Sequence, residues 1–181
     1  MSAFLTLVVI LLSGSAQAQF PYNYAPYAPR HPPTAYAPPT EDRSSASIAQ
    51  ATLDAHNAIR ARVGVPPLVW SDQLVQVAQD WAIHLIATGA LSHRPNNRYG
   101  ENIYAISGGH ATPAEVVDLW AKEARGYDIR SNICSGVCGH YTQIVWAKAR
   151  AVGWAVARNP QREVCVCNYD PPGNVIGFSP Y

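Results

Sequence analysis

The prolines set the first limit on this chain. Seven of its fifteen fall between Pro21 and Pro39, spaced by Tyr22, Tyr24, Tyr27 and Tyr36, and residues 19–46 contain no Leu, Ile or Val. A stretch of that composition cannot enclose a core, so it reads as an extended, partly polyproline II arm. A plain spacer accounts for it; a sticky arm for a wall polymer or a partner is the functional alternative. Any compact fold must therefore come from residues 47–181.

The segment before the arm has a different character. Ala3 to Leu12 is an almost unbroken apolar run, followed by Ser13, Gly14, Ser15 and then Ala16-Gln17-Ala18. A short apolar run ending in a small-x-small pattern is the layout of a cleaved secretory signal peptide over residues 1–18, although no Lys or Arg precedes the run. A membrane span needs about 20 apolar residues, so no stable membrane insertion is expected. The mature chain is expected to begin at Gln19 and to be secreted into the extracellular space.

Charge narrows the function classes. The chain carries a net +1 with only 14% charged residues. Nucleic-acid binding needs clustered Lys and Arg, and no basic run here exceeds two residues. The 48% hydrophobic content is enough for a real core, so the four cysteines need not be the main source of stability. In an oxidising compartment disulfides are their default reading.

From residue 47 the pattern becomes helical. Ile48, Leu53, His56, Ile59 and Val63 share a helical spacing that Gly64 and Pro66-Pro67 stop. Ser71 is a good N-cap for a second helix, with Leu74, Val77, Ala78, Trp81 and Leu85 on one face and Gly89 at its end. Thr112-Pro113-Ala114-Glu115 is a capping box with proline at the first helical position, and the third helix is expected to run on through Trp120 and Glu123. A short strand over 102–106 and a short helix over 139–146 are also expected. Residues 151–157 and 163–169 alternate about Asn159-Pro160-Gln161, which predicts an antiparallel hairpin. Helices followed by strands suggest a sheet covered by helices.

Three polar residues stand out by position. His93, Glu101 and His140 lie beside glycine or in a polar break, and Glu123 lies near Trp120 on a helix face. Each alone reads most simply as a solvated or satisfied side chain. His56 and His84 sit within helical patterns and read as packing or capping residues.

Four motifs then occur together in order. His56-Asn57 with Arg60, Gly100-Glu101-Asn102, the run Gly139-His140-Tyr141-Thr142-Gln143-Ile144-Val145-Trp146, and Cys167-Asn168-Tyr169 with Gly173-Asn174 resemble the four signatures of the CAP superfamily. That superfamily includes pathogenesis-related 1 proteins, and the resemblance runs from about residue 48 to Tyr181. It implies an α+β fold, a three-layer α-β-α sandwich with an antiparallel central sheet. It also implies a cleft faced by His93, Glu101, Glu123 and His140. Two imidazoles and two carboxylates suit zinc or another divalent ion, or a hydrogen-bonded polar network; no cofactor is required.

The cysteines depart from the plant pattern of six. Cys134 and Cys138 are expected to bridge. Trp154 stands where plant members have a cysteine, which leaves Cys165 and Cys167 open between a strained bridge and free thiols. The function implied is a secreted binding protein for a lipid, sterol or extracellular partner, in defence or host interaction. A metal-dependent hydrolase using the tetrad is the enzyme alternative; it lacks an HExxH motif and is disfavoured. A precursor of a C-terminal peptide is the third.

Overall fold

The computed structural model describes residues 44–181. The signal peptide and nearly all of the proposed arm lie outside the described residues.

Helix α1 (Ser45–Arg62) starts two residues before the expected position, because Ser44 supplies the cap: its side chain accepts from Ser47 N at 3.2 Å. Its buried face carries Thr52, His56, Ile59 and Arg60, so much of it is polar. Helix α2 (Asp72–Thr88) is capped by Ser71 and ends at Gly89, which takes the left-handed φ of 70° that only glycine adopts freely. Helix α3 (Pro113–Ala121) has the full capping box between Thr112 and Glu115. It is shorter than expected. A 3₁₀ turn replaces it at Lys122–Gly126, so Glu123 sits on the tighter turn and not on the helix. Helix α4 (Gly139–Ile144) is short.

The strands are β1 (Val69–Trp70), β2 (Gly100–Ser107), β3 (Tyr127–Asp128), β4 (Ile133–Cys134), β5 (Ala151–Arg158) and β6 (Arg162–Asp170). The main sheet runs β1-β5-β6-β2, with β5 and β6 as the hairpin expected from their alternation. The sheet is mixed, which corrects the purely antiparallel expectation: β1 runs parallel to β5, pairing Val69 with Ala151 and Trp70 with Val152. Two residues are too few to show a period of two, so nothing in the sequence marked this strand. β3 and β4 form a separate two-stranded ribbon.

Alternation divides the core into the expected layers. Val152, Trp154, Cys165, Cys167 and Tyr169 pack with Val116, Val117 and Trp120 of α3 and Ile144 of α4. Ala155, Ala157, Val164, Val166 and Ile103 face the other way, onto Ala78, Trp81 and Leu85 of α2. The helices of the first cluster and the single helix of the second enclose the sheet, giving the α-β-α sandwich. Gly153 permits close approach: a Cβ there would lie 2.4 Å from Val75 N and 2.5 Å from Leu74 C. Gly153→Ala should cost about 2 kcal/mol or more, since the obstructing atoms are backbone. Urea denaturation checks this; an unchanged midpoint would mean that α2 slides freely on the sheet.

Cys134 and Cys138 are bridged, with Cα atoms 6.0 Å apart. Cys165 and Cys167 are free and buried. The register places Trp154 directly across from Cys167, so the indole fills the position from which a cross-strand bridge would come.

Candidate functional site

The four residues of the tetrad form two His–Glu pairs. After α2 the chain turns back along Trp81, whose Nε1 donates to Ser92 O at 3.0 Å. Glu101, near the start of β2, gathers that loop. Its Oε1 meets His93 Nδ1 at 2.8 Å and accepts Arg94 N at 3.0 Å, and its Oε2 accepts Asn97 Nδ2 at 3.2 Å. The Glu101 side chain is 4% exposed and His93 68%. The hydrogen bond His93 makes to Glu101 raises its pKa above the usual value, against the opposing effect of burial.

The second pair joins the 3₁₀ turn to α4. Glu123 Oε1 meets His140 Nδ1 at 2.6 Å, while Oε2 accepts His140 N at 3.0 Å and Tyr141 N at 3.2 Å. Glu123 thus satisfies backbone donors at the start of α4, which no cap side chain serves. The His140 ring stacks on Trp120, with centroids 5.5 Å apart and planes 10° apart.

Asn102 links the two pairs. It follows Glu101 on β2, so the two side chains take opposite faces of the strand. Asn102 Nδ2 donates to His140 O at 3.1 Å and to Tyr169 Oη at 3.2 Å. Tyr169 Oη in turn meets His56 Nε2 at 2.8 Å, and His56 Nδ1 donates to Thr52 O at 2.7 Å. The carbonyl can only accept, so Nδ1 carries the proton and Nε2 accepts from the tyrosine. Among the described residues, no three His, Cys, Asp or Glu side chains converge to hold a metal ion. In this arrangement both carboxylates accept N–H donors. The imidazoles remain as donors: no hydrogen bond from the described residues reaches Nε2 of His93 or His140.

The remaining signature residues wire the fold internally. Asn57 holds residue 68 through both its amide atoms, Nδ2 to Leu68 O at 3.1 Å and Oδ1 from Leu68 N at 2.7 Å. Gln143 accepts Gly173 N at 3.0 Å, Asn168 donates to Gly100 O at 3.0 Å, and Asn174 donates to Gly139 O at 2.8 Å. Trp146 is buried, and its carbonyl accepts from Arg60.

A third pair of the same design had no place in the sequence reading. Glu163, 1% exposed, receives His110 Nδ1 at 2.8 Å, Ala111 N at 3.1 Å and Arg158 Nε at 2.9 Å. Burial pushes its pKa up, but the Ala111 and His110 hydrogen bonds and Arg158 outweigh it and the net shift is downward. One signal could have found it: Glu163 shares the inward face of β6 with Cys165 and Cys167, where an unpaired carboxylate would be costly.

A sandwich of this topology, with carboxylates clasping an imidazole and a neighbouring backbone N–H, defines a recognisable class. The family model described as CAP, the cysteine-rich secretory protein family, matches residues 53–169, and the chain belongs to that family. Pathogenesis-related protein 1C of Nicotiana tabacum is 49% identical over 132 residues, covering 71% of this chain and 78% of the relative. Among solved structures, venom allergen-like protein 4 of Schistosoma mansoni shares the fold with a TM-score of 0.58 at 24% identity, over 71% of this chain and 90% of that one. NaASP2, solved with Zn²⁺, gives 0.59 at 21%, over 79% and 88%.

Proposed function

We propose that the protein is exported and acts outside the cell in defence, by binding an apolar ligand of the lipid or sterol class. Kinship with pathogenesis-related proteins and the apolar leader of the sequence support the setting. The observation that carries the binding reading is a groove of about 430 Å³ between α1 and α3. Ile48 and Ala51 line one side, Pro113 the other, and Trp154 and Val156 the floor. That volume falls within the range of roughly 300–1,000 Å³ typical of ligand pockets. The test is to incubate the purified protein with a mixture of sterol and fatty-chain lipids, separate it by gel filtration and analyse the retained lipid by mass spectrometry. Val156→Asp should abolish retention. No lipid retained by the wild type would end this reading.

The free imidazole nitrogens favour a second reading. Each ring has Nδ1 held by a carboxylate and Nε2 unengaged, the arrangement in which an outer carboxylate orients a metal-binding histidine. A divalent ion bound to this chain would meet imidazole rather than four direct ligands, and NaASP2 has been solved with Zn²⁺. Zinc should then raise the melting temperature at about pH 7 and much less near pH 5, where free histidines protonate. His140→Ala should remove the effect; an unchanged melting temperature with excess zinc would exclude it. The hydrolase alternative has less support, because the oxygens of Glu101 and Glu123 are already committed to N–H donors and neither stands free as a base.

A further inference from the structure

We propose that the crevice at the turn of the β5–β6 hairpin is a carbohydrate subsite, and that it takes a hexuronate, a sugar bearing one carboxylate. The crevice, of about 330 Å³, lies between the turn at 159–161 and the Gly108-Gly109-His110 loop that follows β2. It shares no lining residue with the α1–α3 groove, so it stands or falls apart from that reading. Two of its side chains are pinned by the protein and still have a nitrogen to spare. Arg162 donates Nη1 to Gly89 O at 2.7 Å and Nη2 to Ala90 O at 3.3 Å, and its Nε has no partner among the described residues. His110 Nδ1 donates to Glu163 Oε2 at 2.8 Å; that carboxylate is 1% exposed and the imidazole 57%. The carboxylate can only accept, so Nδ1 carries the proton and His110 Nε2 is left to meet a ligand.

Charge decides the first half of the assignment. Glu163 lines the crevice, but Arg158 Nε pairs with it at 2.9 Å, and its oxygens also accept Ala111 N and His110 Nδ1. Arg162 meets only neutral carbonyls. Those at the end of α2 offset part of its charge and still leave it without a partner carboxylate among the described residues. A ligand carboxylate completes it with a charge-assisted hydrogen bond. The rest of the lining decides the second half. Asn159 Nδ2, the Gln161 side-chain amide and the backbone N–H groups of Gly109 and His110 have no partner among the described residues. Pro160 is the one apolar side chain in the wall. An aliphatic acid would cover these polar groups with methylenes and leave them unmatched, which is costly. The hydroxyls of a sugar ring match them, and the volume, at the lower end of the range of roughly 300–1,000 Å³ for ligand pockets, suits one small polar molecule.

The experiment titrates the nitrogen-15-labelled protein with galacturonate, galactose, acetate and inorganic phosphate in turn, and follows the backbone amide resonances by NMR at neutral pH. Galacturonate should move the Gly109 and His110 resonances. It should bind about tenfold or more tightly than galactose, the factor expected from hydrogen bonds to a charged group, and more tightly than acetate or phosphate. Arg162→Gln should erase the preference for galacturonate over galactose. Gln161→Ala, at an exposed side chain without a partner, should leave the melting temperature unchanged and weaken both sugars about threefold. Galacturonate that leaves the Gly109 and His110 resonances unmoved overturns the site. Equal affinity for galactose and galacturonate, or a preference that survives Arg162→Gln, overturns the carboxylate assignment. Acetate or phosphate binding as tightly as galacturonate overturns the sugar assignment. Should Arg162→Gln loosen the end of α2, Gln161→Ala decides, and an unchanged galacturonate affinity in that variant overturns the site.

Discussion

Arg60→Ala should lower the stability of the protein by about 4 kcal/mol, enough to leave a domain of ordinary stability near its unfolding threshold. The side chain is completely buried. Its Nε donates to Pro66 O at 2.7 Å, Nη1 to Ile144 O at 2.8 Å and Trp146 O at 2.9 Å, and Nη2 to Ala149 O at 3.0 Å. Among the described residues no carboxylate pairs with it; four carbonyls solvate the charge. Burial lowers its pKa to about 10, so it stays protonated at neutral pH. Truncation removes a donor from each of those carbonyls, of which Trp146 O still accepts from Ala149 N, and opens a cavity beneath α1; both terms act in the same direction. Arg60→Lys should cost less, about 2 kcal/mol, because an ammonium retains the charge but lacks the planar fork. Urea denaturation separates these outcomes. A loss under 1 kcal/mol for the alanine variant would show that the carbonyls find other donors.

Acid should unfold the protein by way of His56. The ring is fully buried, and burial lowers its pKa from 6.5 to about 4. The unfolded chain takes up a proton below pH 6.5, whereas the folded one resists until about 4. Stability is therefore level above 6.5, falls through that window and levels again below it. The gap corresponds to about 3 kcal/mol. Glu163, whose pKa is depressed in the fold, adds a loss of the same sign at lower pH. His93 works oppositely: its raised pKa stabilises the fold in acid, and that contribution disappears as pH rises through the raised value. Its exposure keeps the effect small. Thermal melts from pH 7.5 to 4 should show the decline, and His56→Gln, though less stable at neutral pH, should flatten it. A wild-type profile that stays flat down to pH 4.5 would refute the assignment.

The sequence was legible where local chemistry decides structure. Ser71, Gly89 and the Thr112–Glu115 capping box mark helix ends by side-chain and backbone preference alone, and the 151–157 and 163–169 alternation sorted β5 and β6 onto the correct faces. Glu101, Glu123, His93 and His140 could be selected by motif, but their division into two clasps could not be foreseen. That depends on which carboxylate reaches which backbone N–H, a matter of tertiary contact. The end of α3 was misjudged because Lys122 and Glu123 are good helix formers and nothing in the chain signals a 3₁₀ turn. Strand β1 depends on the pairing of Val69 with Ala151, and His110 lies 53 residues from Glu163; the inward face of β6 marks Glu163 as needing a partner, but does not say which.

The indole of Trp154 opposite Cys167 gives the molecule an internal clock. Burial raises the Cys165 pKa well above that of a free thiol and pushes Cys167 up to about 12, so neither supplies thiolate to a reagent in solution. Both lie in the central hairpin, β5 and β6, where only the rarest openings of the sheet would uncover them. A thiol reagent added to the intact protein would therefore wait on those openings, and its rate of incorporation would count them directly. The sheet thus holds two silent groups that would register each time the sandwich comes apart.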